Sequence, residues 1–392
     1  MKVGILVWDL NINGGTQRQA LELAKNLQDL GEEVIVYAYF YDKQNCFPDL
    51  CSQLNIKYIK SESRLEQRGK IIQFFTIFLK YFLFYFEVRQ KTLLNIIDID
   101  VDILNPHDYH IYPTAGMWKK KTNKPVVWMM NDMPMYRWKK EKLLKTCLFH
   151  LKPKFRNYIR SFDKIIVLDN INKLQVQRHF GLASEIVRSG IDIIKFKYTE
   201  HSRKKDFSIL STGIFYSHRR IEDTIIALQI LVGKGHNIKL HHIGAKDRGM
   251  KYAKKIFLLV KKMGLQERVH FHDRVTEQAL IQSYSESDVF VFPNAPQTWG
   301  LSVFEAMSCG LPVVLTTGCG ASEVLRNGEN AIITEPMCPE KLADSLEQLY
   351  NDQSLCQQLS KNGREFVENH LSWRNYTESM LRLFRKAIRS SD

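Results

Sequence analysis

Residues 293–320 read PNAPQTWGLSVFEAMSCGLPVVLTTGCG. The apolar run Val289–Phe292 ends at Pro293, and a loop carrying Gln297, Thr298, Trp299 and Gly300 comes next. A helix is predicted from Leu301, with Glu305 inside its first turns and Gly310-Leu311-Pro312 stopping it. Glycine favours the end of a helix and proline cannot continue one. A second apolar run, Pro312–Leu315, comes directly after. Strand, loop, helix and strand in this order form the repeating unit of a parallel sheet covered by helices. Ligands of such sheets bind beyond the C-terminal strand ends, where a helix start offers free N–H groups. The N–H groups of Gly300, Leu301 and Ser302 therefore suit a phosphate. A carboxylate one turn further in, Glu305, suits a ribose diol.

The same style extends in both directions. Strand-like runs occur at Phe207–Thr212, Ile238–Ile243, Val269–His272 and Ala331–Thr334, with helical patterns between them such as Glu222–Leu231 and Leu342–Tyr350. The N-terminal half opens with a strand (Lys2–Trp8), a glycine turn, a helix and a strand (Val34–Phe40). More strands are expected near Val101–Leu104, Val126–Met130 and Lys164–Leu168. Ala20, Leu23, Ala24, Leu27 and Leu30 share one face of the first helix. Thr16 and Gln19 have capping-box spacing, which starts that helix directly after Gly14-Gly15. Two such sets predict two Rossmann-like domains. The polar run Thr199–Asp206 marks the join, giving domains 1–195 and 196–372. The last helix, 373–392, is expected to pack back on the first domain.

These motifs together resemble the retaining glycosyltransferases of family 4, whose architecture is GT-B. That family's signature is two glutamates separated by seven residues, the second opening a characteristic run. Glu305-Ala306-Met307-Ser308-Cys309-Gly310-Leu311-Pro312-Val313-Val314 matches the second glutamate and its entire run. The first glutamate is Gln297 here, which keeps hydrogen-bonding power without the charge. Gly14-Gly15 resembles the pair that lets the backbone approach donor phosphates, and Val101–His107 resembles a strand end whose last His faces the transferred sugar. Gly190-Ile191-Asp192 resembles the run into the interdomain linker, and Gly318-Cys319-Gly320 with Glu323 a loop near the phosphates. The family's diphosphate-binding Arg is Ile214, while Arg220 stands at the family's Lys position with Arg219 beside it. A guanidinium binds phosphate oxygens in a planar fork, so this pair can serve.

The resemblance implies an α/β GT-B chain, two Rossmann-like domains facing a cleft with the C-terminal helix crossing back. It implies an enzyme that moves a sugar from a nucleoside-diphosphate donor to an acceptor hydroxyl with retention. Glu305 would hold the ribose, and Arg219 and Arg220 the diphosphate. Gly14, Gly15, Trp299, Gly300, Leu301 and Ser302 would line the donor. His107 and Gln297 would position the sugar. No cofactor is implied beyond the donor, and the acceptor class is a glycan or lipid-linked glycan of a cell-surface polysaccharide or lipopolysaccharide. The alternative is a degenerate member that binds nucleotide sugar or glycan without turnover, motivated by Gln297 and Ile214.

Composition bounds the rest. At about 150 residues per domain, 392 residues suggest two to three domains. A hydrophobic share of 44% and a charged share of 25% exclude disordered and collagen-like chains. Seven cysteines without a CxxC pair are unlike a disulfide framework or zinc site. Asp98-Ile99-Asp100 and Asp100-Val101-Asp102 have a metal-binding form but fall in a helix-to-strand turn, and His241-His242 and His270-x-His272 lack a third ligand nearby. No metal is expected. The N-terminal apolar run is too short for a signal peptide. Residues 71–86, IIQFFTIFLKYFLFYF, fall short of the ~20 that cross a bilayer and repeat as an aromatic helix.

The net charge of +14 is concentrated. Residues 118–160 hold thirteen Lys and Arg against Asp132 and Glu141, interleaved with Trp118, Trp128, Tyr136, Trp138 and Tyr158. No zinc finger, RNP run or helix-turn-helix cue supports nucleic acid. The stretch predicts docking on an anionic membrane surface. That makes the expected placement cytoplasmic and peripheral, on a membrane's inner face.

Overall fold

The computed structural model describes residues 1–61, 87–107, 111–131, 153–200, 206–246, 249–296 and 299–390. The expected aromatic helix over 71–86, Gln297 and residues 132–152 of the basic stretch lie outside them. The chain forms two compact units, Met1–Ser189 with Trp373–Asp392, and Gly190–Ser372.

The first unit holds a parallel sheet of β1 (Lys2–Leu10), β2 (Glu33–Tyr41), β3 (Ile56–Lys60), β4 (Ile103–His107), β5 (Val127–Met129), β6 (Lys164–Val167) and β7 (Glu185–Ile186). Their order is β3-β2-β1-β4-β5-β6-β7. Its helices are α1 (Gly15–Asp29), α2 (Pro48–Cys51), α3 (Tyr112–Thr122), α4 (Pro153–Arg160) and α5 (Asn170–Phe180). The C-terminal helix α12 (Trp373–Arg389) completes this unit by packing on α1. It buries Trp373, Tyr376, Met380 and Phe384, and Arg385 pairs with Glu32 at 3.0 Å.

Two expectations change here. The capping box does not form: Gly14 is the N-cap of α1, and the Gln19 amide donates to Ser189 Oγ at 2.6 Å. Starting the helix at Gly15 puts Thr16 inside the first turn, so it cannot cap. Of the aromatics expected at a membrane surface, Trp118, Trp128 and Tyr158 lie among the described residues and are core residues instead. All three are buried, Trp118 in a cluster with Leu6 and Leu104 and the other two in a cluster with Ile165 and Val167, side by side on one face of the sheet. Burying large rings against a sheet stabilises more than leaving them at the surface.

The second unit is a parallel sheet of β8 (Phe207–Thr212), β9 (Ile238–Ile243), β10 (Val269–His272), β11 (Val289–Phe292), β12 (Val313–Thr316) and β13 (Ile332–Thr334), ordered β10-β9-β8-β11-β12-β13. Its helices are α6 (Ile221–Gly233), α7 (Met250–Lys262), α8 (Glu277–Glu286), α9 (Leu301–Ser308), α10 (Pro339–Asn351) and α11 (Gln353–His370). The core is aliphatic, with Ile209, Ile225, Leu228, Leu240, Val289 and Leu346 fully buried. In each sheet one strand is where the chain reverses its winding, β1 beside β4 and β8 beside β11. The crevices at those switch points are where open α/β sheets bind ligands.

Candidate functional site

The second unit assembles its candidates around the β8–β11 switch point. Gly213 follows β8 at a φ of 150°, and a Cβ there would meet Arg219 Cδ and Nε at 3.2 Å. Arg219 therefore lies over a bare backbone. Its guanidinium carbon is 5.9 Å from the Phe292 ring at the end of β11. With the Asn294 amide oriented to satisfy both groups, Asn294 Oδ1 accepts from Arg219 Nη1 at 2.7 Å and Nδ2 donates to the Arg219 carbonyl at 3.1 Å. Thr316 Oγ1 at the end of β12 donates to the Asn294 carbonyl at 2.7 Å. The ends of β8 and β11 thus frame one guanidinium, and Thr316 of β12 braces Asn294 beside it.

Arg220 is placed differently. It is the N-cap of α6 at a φ of 49°, and it donates to both oxygens of Asp223 at 2.9 and 2.7 Å. Glu222 Oε1 lies 3.0 Å from its Nη1. The Asp223 hydrogen bonds hold the guanidinium above its already high range. Arg220 is thus neutralised by its own helix, while Arg219 spans the strand ends.

The β11–α9 loop ends in Gly300, the N-cap of α9, at a φ of 79°. A Cβ there would come within 3.0 Å of Phe292 and 3.1 Å of the Cys319 sulfur. The N–H groups of Leu301 and Ser302 open the helix and have no intrahelical acceptor. Trp299 is buried against Phe304, with ring centroids 4.5 Å apart, so it packs the loop. Glu305 is 7% exposed and accepts from the Tyr284 hydroxyl at 3.1 Å. Burial drives the Tyr284 phenol well above its ordinary range, so it stays protonated and donates.

Asn294, Tyr284 and His242 are the supporting residues that sequence reasoning missed. His242 donates from Nε2 to the Gly213 carbonyl at 2.9 Å and accepts from Ser211 Oγ at 2.7 Å. Burial pushes its pKa down to about 4, which keeps the ring neutral. Gly244 lets β9 approach: a Cβ there would overlap the Gly213 carbonyl oxygen.

In the first unit the candidates stand at the β1–β4 switch point. Gly14 caps α1 with an extended backbone, and Arg18 N donates to its carbonyl at 2.9 Å. The turn is tied down on both sides. Gln17 donates to the Asp9 carbonyl at 2.9 Å, and Asn13 Oδ1 accepts from Phe47 N at 2.9 Å. The N–H groups of Gly15 and Thr16 open the helix, an arrangement suited to an anion. His107 ends β4 with no solvent exposure, and its Nε2 lies 2.7 Å from Asn105 Oδ1. Burial pushes its pKa down to about 3. The acidic decoys hold the fold: Asp98 pairs with Lys57 at 2.7 Å, Asp100 with Lys2 at 2.8 Å, and Asp102 accepts from the Lys2 N–H at 2.7 Å.

Gly14, Gly15 and His107 therefore belong to one unit. Arg219, Arg220, Trp299, Gly300, Leu301, Ser302 and Glu305 belong to the other. Two parallel Rossmann-like sheets in one chain, each with a helix start and polar groups at its switch point, define the GT-B-like class. Two family models match, Glycosyltransferase Family 4 over residues 13–195 and Glycosyl transferases group 1 over residues 192–366. The chain belongs to glycosyltransferase family 4, the retaining enzymes of GT-B fold that use nucleotide sugars.

The capsular polysaccharide biosynthesis glycosyltransferase CapM of Staphylococcus aureus is 26% identical over 235 residues, 58% of this chain and 60% of that protein. The uncharacterized glycosyltransferase MJ1607 of Methanocaldococcus jannaschii is 22% identical, and the match covers 99% of both chains. The crystal structure of Anabaena HepE with UDP-glucose superposes with a TM-score of 0.78 at 16% identity, covering 98% of this chain and 100% of that one.

Proposed function

We propose that this chain transfers a hexose from a nucleoside-diphosphate sugar to an acceptor hydroxyl of a cell-surface polysaccharide, lipopolysaccharide or lipid-linked glycan. The observation that carries the reading is Arg219, framed by the ends of β8 and β11 against the same Phe292 ring that Gly300, the N-cap of α9, approaches. In this scheme Arg219 and the first turn of α9 take the diphosphate. Glu305, oriented by Tyr284, takes the ribose. Gly15 and Thr16 stabilise charge on the leaving phosphate, and neutral His107 positions the sugar. Donors aimed at developing charge are commonly the largest catalytic contribution. Arg220 supports α6 and reaches phosphate only by exchanging its carboxylate partners. The Anabaena relative binds UDP-glucose, which makes UDP the first nucleotide to test.

Calorimetry with UDP, GDP, ADP and their sugars, with donor hydrolysis measured afterwards, tests the reading. Arg219→Ala is expected to weaken nucleoside-diphosphate binding by 10- to 100-fold, about 1.4–2.8 kcal/mol. Unchanged affinity would overturn the diphosphate assignment. Gln297→Glu measures the departure from the family pattern, and an increase in turnover is expected. The non-catalytic alternative draws on Gln297 and on the pairing of Arg220 with Asp223 and Glu222; donor binding without hydrolysis or transfer would select it.

Docking on an anionic leaflet is part of the same proposal. Lys120 and Lys121 are available for it, whereas Lys119 pairs with Asp163 at 2.6 Å and Lys124 donates to the carbonyls of Ile99 and Val101. Among the described residues no helix is long and apolar enough to cross a membrane. Equal pelleting with neutral and anionic liposomes at low salt would refute the docking.

A further inference from the structure

Three histidines of the second unit that the proposed transfer does not use gather at one edge of its sheet. β10 is the edge strand and pairs with β9 in parallel, with His270 beside His241 and Phe271 beside His242. Alternate residues of a strand face opposite sides. Leu240, Val269 and Phe271 turn to the aliphatic core, so His241, His270 and His272 share the other face. His270-x-His272 lacks a third ligand nearby in sequence, and the fold supplies one from the neighbouring strand.

The three rings are in contact. His241 Nδ1 lies 3.2 Å from His272 Nε2, and the planes of these rings are 12° apart with centroids at 5.5 Å. The His270 ring is 5.0 Å from that of His241, tilted by 30°. Burial lowers the pKa of His241 and of His272, and the adjacent rings act in the same direction, as do Lys239 on the first and Lys246 on the second. Both rings are therefore neutral at neutral pH, the form that binds metals. The two lysines are engaged elsewhere: Lys239 pairs with Asp206 at 2.5 Å, and Lys246 donates to the Phe271 carbonyl at 3.2 Å. Glu286, at the end of α8, brings a negative charge near His241.

We propose that His241, His270 and His272 form a binding site for a late first-row transition-metal dication such as zinc, with water in the fourth position. Zinc–nitrogen bonds are about 2.0–2.1 Å long, so the nitrogens of a tetrahedral site stand roughly 3.3 Å apart. His241 and His272 already have that separation. The backbone ladder sets the spacing of all three residues, and sites built on strands are held more precisely than sites on loops. In this structure the nitrogens of His241 and His272 face each other across a hydrogen bond, and no three ligating groups among the described residues surround a common point. Binding therefore turns the rings about χ2, a broad torsion in histidine. The ring that donates within the pair passes to its other tautomer, so its proton moves to the far nitrogen and none is lost. Imidazole ligands select zinc, copper or nickel, whereas magnesium and calcium take oxygen. The ion clamps the edge strand β10 to β9. Its role is structural and independent of the transferase reading.

Calorimetry on the full, untagged chain with zinc chloride tests the site, with magnesium chloride as the control. One zinc per chain and a rise in Tm are expected, and magnesium should give neither. His241→Gln, His270→Gln and His272→Gln are each expected to weaken zinc binding by roughly tenfold or more, at least what losing a partner behind a metal ligand costs. His236→Gln should leave the affinity unchanged, because that ring pairs with Glu347 at 2.9 Å on another element. Cobalt(II) gives a readout that needs no variant. The parent protein is expected to show the intense visible bands of a four- or five-coordinate ion, removed by equimolar zinc. The weak spectrum of octahedral cobalt in the parent, or an unchanged zinc affinity in His241→Gln and His272→Gln, overturns the proposal.

Discussion

Arg219 and Arg220 are neighbours in sequence with different electrostatic surroundings. The first is shaped by a glycine beneath it, an aromatic ring and an amide. The second is bound by two carboxylates on its own helix. Spacing alone favoured Arg220 as the phosphate ligand, because a motif records order and not which acids lie within reach. Single-residue substitutions give clear expectations. Gly300→Ala forces a side chain onto a backbone at a φ of 79° and against Phe292. It should lower stability by about 1–3 kcal/mol, read by urea unfolding. Tyr284→Phe removes the hydroxyl that orients Glu305. Calorimetry should show nucleoside-diphosphate binding weakened several-fold, because the carboxylate loses its fixed direction.

At the scale of elements, α9 depends on a residue far from it in sequence. Arg364 of α11 donates through Nη1 to the Ser308 carbonyl at 2.7 Å, to Ser308 Oγ at 2.9 Å and to the Phe196 carbonyl at 2.9 Å. It thereby closes the C-terminal end of the helix whose other end faces the proposed phosphate position. Arg364→Leu should cost the protein about 2–3 kcal/mol in urea unfolding, with Arg364→Lys restoring only part, since a lysine has no second nitrogen to match the Nε that donates to Glu368 at 2.6 Å. Most strands and helices of the second unit were readable because they are short, apolar and bounded by Gly or Pro. β8, β9, β10 and β11 match their expected limits. β4 was harder to read. Its last residues, Asn105-Pro106-His107, look like a loop but are buried between β1 and β5. Tertiary burial overrides local pattern there. β3 and β7 escaped notice because one is a half-exposed edge with two lysines in five residues and the other has two residues.

For the whole molecule, the buried histidines set the acid response. Burial holds the folded-state pKa of His107 at about 3 and that of His242 at about 4, below the ordinary value of 6.5. The unfolded chain therefore binds more protons as pH falls below 6.5, and stability drops from there towards the folded values. By pH 5 the loss should be about 2 kcal/mol for each ring. Thermal unfolding across pH 4.5–7.5 checks this, and His242→Gln should flatten the slope. The tandem α/β organisation and the donor-side motif were legible in Glu305–Val314, because ligand chemistry fixes residue order there. The supporting residues were not, because Asn294, Tyr284 and His242 come from three separate elements.

The chain's topology adds a consequence for synthesis. The first unit is discontinuous: 183 residues of the second unit, Gly190–Ser372, lie between Ser189 and the helix α12 that covers α1. During translation the second unit can close as an uninterrupted segment. The first must wait with the α1 surface uncovered until the seventeen-residue helix α12 leaves the ribosome. A premature stop after Ser372 would thus harm the N-terminal sheet, nearly two hundred residues upstream, more than the sheet it directly follows.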